Sequence, residues 1–192
     1  LFGLPVTIPL AAGALLIAHP TLLDPNFKRT VTLLAEHGGE GSLGYVLNRK
    51  LDLTLREILP DSYVQTGFDA PLYWGGPCQN DTLHCIHRLG SRIPDSVKLA
   101  EGVYWGGNFE AMQDALIGGS VNADDIRFFI GYAGWGEQQL DNEMNDNAWL
   151  LSGDTNEFAF AATTKNVWHR ALHKLGANYA TLANTPEHPS MN

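Results

Sequence analysis

"EHGGEGSLGYVLNRK", residues 36–50, decides between two fold classes. Gly39, Gly41 and Gly44 in it spell G-x-G-x-x-G, the dinucleotide-binding string. That string works when a strand leads in and a helix comes next, with an acid about 20 residues on to meet the ribose. A β-branched-rich run, "KRTVTLLAEH" (28–37), does lead in. The segment after the glycines is "LGYVLNR" (43–49), short and apolar, with Tyr45 and Val46 where a helix would begin. Further on, Asp52, Glu57 and Asp61 end no second predicted strand. The pattern reads as a β-hairpin with glycines at left-handed turn positions. Gly44, inside the second strand, marks a bulge or a close approach of two backbones. With a turn over Gly38–Ser42, His37 pairs with Leu43 and Thr32 with Asn48. A slip of one residue reverses the faces. In this register His37 lies at the rim of an apolar face. Asn48 is a polar group in an apolar strand and needs a partner, either a backbone group or a ligand.

Working outward, further strands are expected at "ALLIAH" (14–19), "PLYW" (71–74), "DTLHCIHRL" (81–89), "LAEGVYWGG" (99–107), "IRFFIGYAGW" (126–135) and "AWLLS" (148–152). Helices are expected at "LTLREIL" (53–59), "NFEAMQDALIGG" (108–119), "EQQLDNEM" (137–144) and "NVWHRALHKLG" (166–176). Asn108 caps the second of these, and Gly118–Gly119 stop it. Trp168, Leu172 and Leu175 share one face of the last. Residues 1–13 read as a loose arm, 60–70 as a polar loop and 177–192 as a tail, leaving 1–176 as a single domain. Strands joined by hairpin-length connections, with helices inserted, argue for α+β over a doubly wound parallel sheet.

A chain of 192 residues suits one domain. Its net charge is −9, and its twelve Lys and Arg are scattered. Both facts weigh against nucleic acid, whose phosphates are bound by clustered cations. Two cysteines, Cys78 and Cys85, form no disulfide framework and fit a reducing, cytoplasmic compartment. The apolar runs are too short to span a bilayer, so no membrane partner is expected. "LFGLPVTIPLAAG" lacks the basic start of a signal peptide.

Four constellations carry possible chemistry. Tyr132, Trp135, Gln139, Glu143 and Trp149 form the first. Gln139 and Glu143 share a helix face, and an indole beside an amide and a carboxylate suits a small-ligand pocket. The competing reading makes both indoles core and the polar pair caps or solvated groups. The second is "LHCIH", in which His84 faces away from Cys85 and His87 on a strand. With no fourth ligand identifiable, neither metal nor cofactor is expected. The third is nucleophilic. Ser42 in "EGSLG" misses the G-x-S-x-G pattern. Cys85 and His87 share a face, but nothing legible activates a thiolate or stabilises developing charge. The fourth is a modest basic face of Lys165, Arg170 and Lys174, without a helix–turn–helix signal.

Taken in order, "LLIAHPTLLDPNFKRTVTLLAEH", "GSLGYVLNR", "YWGGPC", His87, "FIGYAGWGEQQLDNE", Trp149 and "VWHRALHKLG" resemble the YqgE/AlgH family over nearly the whole chain. This is a bacterial family of uncharacterised proteins, also described as transcriptional regulators. The resemblance implies antiparallel sheets splayed into a barrel-like core with about three flanking helices, and it supplies no reaction. The chain departs from the family pattern in three places. Glu137 and Gln138 stand where the family has Pro and Gly. Cys78 replaces an aliphatic residue, and His84 and Cys85 replace an apolar pair. The cysteines are therefore no family-wide catalytic feature. The expected function is a small-ligand or protein-partner binding module with an indirect regulatory role. Its candidate residues are His37, Asn48, His87, Tyr132, Trp135, Gln139, Glu143 and Trp149. The alternatives are a hydrolase- or transferase-like enzyme pairing His37 or His87 with Glu143, and a DNA-associated regulator.

Overall fold

The structure, a computed structural model, describes residues 7–60, 67–184 and 186. In chain order it forms β1 (Leu15–Ala18), β2 (Val31–Gly38), β3 (Gly41–Val46), β4 (Lys50–Thr54), α1 (Leu55–Ile58), β5 (Pro71–Trp74) and β6 (Cys78–His87). Then come β7 (Val97–Ala100), β8 (Val103–Trp105), α2 (Phe109–Ile117), β9 (Ile126–Trp135), α3 (Gln139–Asn145) and β10 (Trp149–Ser152). The helices α4 (Thr155–Phe158), α5 (Val167–Leu175) and α6 (Ala177–Ala183) complete the order. Among the described residues no helix is long and apolar enough to cross a membrane.

The strands run β10-β1-β2-β3-β9-β6-β8-β7, with β4 and β5 attached off this path. Neighbours are antiparallel except for β5 beside β9. The fold is therefore α+β, and its sheet is splayed rather than closed. Strand β9 is the hinge of this arrangement. One edge pairs with β6 over most of its length. The other pairs with β5 at Phe128–Ile130 and then with β3 at Ala133–Trp135. Successive residues of β9 feed two cores, because side chains alternate across a strand. Phe129 enters the larger core with Leu33, Tyr45 and Trp168. Phe128 enters the smaller one with Leu55, Leu72, Met112 and Leu116. Helix α5 lays Trp168 and Leu172 on the larger core, and the Trp168 indole donates to the Ala18 carbonyl at 2.8 Å. Helix α2 is capped as expected, with Ala111 N donating to Asn108 Oδ1 at 2.9 Å.

The glycine-rich stretch is a hairpin, and its second half is strand β3. The register differs from expectation. His37 pairs with Ser42 rather than Leu43, and Thr32 pairs with Val46 rather than Asn48. Two local features cause the change. The turn contains only Gly39 and Glu40, and a bulge between Leu34 and Glu36 inserts one residue into β2. Gly44 lies opposite that bulge. A Cβ there would sit 2.7 Å from the Leu33 carbonyl oxygen, so the backbones do approach closely. Residues 99–107 give the end of β7 and all of β8, and β4 precedes α1 where only a helix was expected. The segment expected as a tail continues as α6, with Ala183 buried. Of the expected arm and loop, residues 1–6 and 61–66 lie outside the described residues.

Where β9 changes partner, three glycines meet. A Cβ on Gly75 would fall 2.2 Å from the Gly131 carbonyl oxygen, and one on Gly76 would fall 2.1 Å from the Tyr132 carbonyl carbon. Gly131 itself has φ +69, and its Cβ would meet Asn80 Nδ2 at 2.3 Å and the Cys78 carbonyl at 2.7 Å. Gly102, in the β7–β8 turn, has nearly the same φ, +67, but open space around it. The pair separates backbone strain from crowding. Gly102→Ala is expected to cost about 1–2 kcal/mol, the left-handed penalty alone. Gly131→Ala is expected to cost about 3 kcal/mol or more. Urea unfolding midpoints check this, and equal losses would show that the crossing imposes no constraint.

Candidate functional site

Four of the expected site residues do come together. Trp135 ends β9, Trp149 opens β10, and α3 between them carries Gln139 and Glu143. Glu143 Oε2 accepts from both indoles, from Trp135 Nε1 at 3.0 Å and Trp149 Nε1 at 2.8 Å. Its other oxygen accepts from Gln139 Nε2 at 3.0 Å, and Gln139 Oε1 accepts from Gly136 N at 3.0 Å. The two indoles are buried, meet edge to face at 6.0 Å, and are covered by Phe27. The i,i+4 spacing thus gives the expected pair, but its polar atoms are engaged within the chain, as a brace between β9, α3 and β10. Gln138 enters α3 at φ +56. A left-handed backbone at a residue other than glycine costs about 1–2 kcal/mol in strain.

The other candidates lie apart. His37 Nδ1 and Ser42 Oγ are 2.7 Å apart across the hairpin tip. Asn48 takes the bland partners: its Oδ1 accepts from Val31 N and its Nδ2 donates to the Arg29 carbonyl, both at 2.9 Å. It thereby holds the entry to β2, where Arg29 is left-handed. His87 is fully buried. Its Nδ1 accepts from Leu89 N at 3.2 Å, so Nε2 carries the proton and faces the Gly106 carbonyl at 3.0 Å and Ser96 Oγ at 3.1 Å. Tyr132 belongs to none of these groups and packs edge-on against His84.

That His84 contact opens a site the sequence did not reveal. Thr82 Oγ1 donates to the Gln79 carbonyl at 2.7 Å, so it accepts from His84 Nε2 at 2.7 Å. His84 Nδ1 then accepts from the Tyr45 hydroxyl at 3.1 Å, and Tyr45 accepts from Trp105 Nε1 at 3.0 Å. Every donor in this chain points one way, and one neutral tautomer of His84 satisfies it. Burial depresses the His84 pKa and raises that of Tyr45 well above the ordinary phenol range. Both groups therefore stay neutral. Beside them lies a pocket of about 270 Å³, walled by Leu83, Cys85, Met112, Leu116 and Phe128, with Trp105 and the Gly106–Gly107 backbone on one side. Burial pushes the Cys85 thiol up to about 12. It is a thiol at neutral pH, without the thiolate that nucleophilic attack requires. The resemblance noted in the sequence implies an apolar pair where His84 and Cys85 stand. That departure was the one signal of the pocket in the sequence. Its other walls come from α2, β8 and β9, far away along the chain. Among the described residues no three His, Cys, Asp or Glu groups gather to hold a metal ion.

Glu143→Ala leaves two buried indole N–H groups without acceptors, at about 1–3 kcal/mol each. Glu143→Gln keeps an acceptor and should lose much less. Chemical unfolding monitored by tryptophan emission checks the order, and equal losses would remove the carboxylate's bracing role. A pH dependence is expected as well. Burial is the larger influence on both His84 and His87, outweighing the Gly106 hydrogen bond that favours charged His87. Their folded pKa values lie below the unfolded value of about 6.5. The unfolded chain therefore takes up protons first. Stability is full above pH about 6.5 and falls as pH drops toward the folded values. Thermal midpoints between pH 8 and 5.5 should show this slope, and His84→Gln should flatten it.

The AlgH-like family model matches residues 15–180. A UPF0301 protein of Chlorobaculum tepidum is 39% identical over 186 residues, covering 95% of this chain and 96% of that protein. One from Bacteroides thetaiotaomicron is 37% identical over 181 residues, covering 94% and 90%. The solution structure of the AlgH protein from Pseudomonas aeruginosa is 30% identical and matches with TM-score 0.69, over 96% of this chain and all of that one. A crystal structure from Corynebacterium diphtheriae, 21% identical, shares the fold with TM-score 0.76 over 93% and 94% of the two chains. From the glycine-rich hairpin to the two-indole brace, this chain belongs to the AlgH-like, UPF0301 family.

Proposed function

We propose that the protein is a binding module, and that it seats a small apolar group in the pocket between β6, β8 and α2. The pocket itself carries this reading. It is largely apolar, it opens to solvent, and its volume of about 270 Å³ suits one ring or one short branched chain. Neutral His84 and the Cys85 thiol contribute polarity without charge, so an apolar guest is not opposed by a buried ion. Phe109 stands at the mouth with 67% of its surface exposed, a large ring placed to cover an occupant. A free metabolite or the side chain of a partner protein would use the same walls.

The acid–base alternative has less support. Both nitrogens of His87 have internal partners, and His37, whose Nδ1 meets Ser42 Oγ, lies apart from Glu143 at the hairpin tip. Glu143 is held by two indoles and an amide. DNA association has little support at the helix face where the sequence suggested it. The basic helix face expected at 166–176 is partly neutralised, since Arg170 and Lys174 pair with Glu157.

Titrating the ¹⁵N-labelled protein with indole tests the reading. Saturable shifts are expected at the amides of Gly106, Gly107, Gln113 and Leu116. A dissociation constant of roughly 1 mM is expected for so small a probe. Leu83→Trp, which fills the pocket, should weaken binding by about tenfold or more. Shifts centred on Gly136–Glu143, or binding indifferent to Leu83→Trp, would sink the proposal.

A further inference from the structure

Arg127 is a buried cation that no acid answers among the described residues. It retains only 5% of its exposure. Its neighbour Phe128 points into the smaller core, so alternation carries Arg127 to the other face of β9. There its guanidinium carbon lies 4.1 Å from the centre of the Tyr73 ring. Nη1 donates to the Leu47 carbonyl at 3.2 Å, and Nη2 donates to the Ala161 carbonyl. Lys98, Arg170 and Lys174 each meet a carboxylate, whereas Arg127 forms no ion pair with a described residue. Withdrawing a guanidinium from water costs several kcal/mol, and neutral carbonyls with one ring offset only part of it. Of its five N–H donors, two are used, leaving three.

Arg127 also lines a second cleft, of about 120 Å³, between the start of β5, the start of β9 and the segment after α4. Lys50, at the start of β4, contributes another cation to the lining, and Asp124 contributes a carboxylate. Phe160 forms part of the wall, and Arg88 stacks on its ring at 4.6 Å. Two cations and one carboxylate line the cleft, with a third cation against its wall, in a protein of net charge −9. The cleft has room for one oxyanion group and none for a nucleotide base. Arg presents a planar fork of donors matched to oxyanions, and a protein ammonium adds an adaptable point charge.

We infer that this cleft binds a phosphate group, held on the free N–H edge of Arg127 with Lys50 beside it. The group is either inorganic phosphate or the head of a phosphomonoester whose remainder stays in solvent. A carboxylate carries a single charge, whereas a phosphate monoester carries about −1.5 to −2 and offers further oxygens, so it can answer Arg127 and Lys50 together. The site is separate from the apolar pocket, on the opposite face of β9.

The test is a titration of the full chain with sodium phosphate against sodium chloride at matched ionic strength. The readouts are calorimetry and the Nε–Hε resonance of Arg127. A saturable response to phosphate is expected, with that resonance shifting. Lys50 is exposed, so Lys50→Met should weaken binding only roughly two- to fivefold. Arg127→Gln should abolish it, and the Lys50→Met result stands even where loss of Arg127 unfolds the chain. Glycerol phosphate binding as tightly as inorganic phosphate assigns the site to an ester head, and weaker binding assigns it to the free ion. A phosphate response no greater than that to chloride overturns the inference. So does an unmoved Arg127 resonance, undiminished affinity in Lys50→Met, or acetate binding as tightly as phosphate.

Discussion

At Gly131, β9 exchanges β5 for β3 along one edge, and the Gly75–Gly76 backbone lies against the same point with no side chain between. Hydrogen bonds pass through this junction in both directions. Gly75 N donates to the Ile130 carbonyl at 2.8 Å, and the Gly75 carbonyl accepts from Val46 N at 2.9 Å. A ten-stranded sheet would ordinarily need to curl or divide. Here it splays at one joint, and the joint works because three residues lack a Cβ. Both cores inherit their positions from it, since Phe128 and Phe129 approach the junction on opposite faces.

The polar residues expected at the site are mostly satisfied within the chain. Asn48 and His87 join segments 17 or more residues apart, Glu143 ties together the two strands that flank its own helix, and each uses its full set of polar atoms. A polar side chain in an apolar strand must find a partner or carry a desolvation cost. Within one domain the partner is usually another part of the same chain. The chemistry left open lies where polar groups are sparse, in the apolar pocket, or where charge is unbalanced, around Arg127.

Much of the fold was legible because element type depends on short-range patterns. The β-branched run into the hairpin glycines, the Asn108 cap and the amphipathic 166–176 helix all depend on residues within a few positions of one another. The register of β2 and β3 was not legible. A bulge at Ala35 and a two-residue loop move the pairing without altering the pattern of residue types. Gly176 reads as a helix stop and does end α5, yet it also serves as the N-cap of α6. In the candidate site, the Gln139–Glu143 pair is set by helical spacing alone. That both indoles would close on Glu143 depends on β9 and β10 flanking α3, which no local pattern states. The apolar pocket was hidden for the same reason, its walls coming from residues 59, 83–85, 105–116 and 128.

The position of β9 has a consequence for how the protein is made. It lies in the middle of the sheet but comes late in the chain, at 126–135. During synthesis from the N-terminus, the β2–β3 hairpin and strand β6 emerge well before it, and each presents an unpaired edge until it arrives. The N-terminal strand β1 waits longer still for β10, at 149–152. Exposed strand edges are templates for pairing with other chains, and long-range pairing is slow. The nascent protein therefore passes through a stage in which β1, β3 and β6 are complete and their partners β9 and β10 are still unmade. The bulge in β2 and the glycine-thinned β3 make the hairpin's waiting edge a poor template.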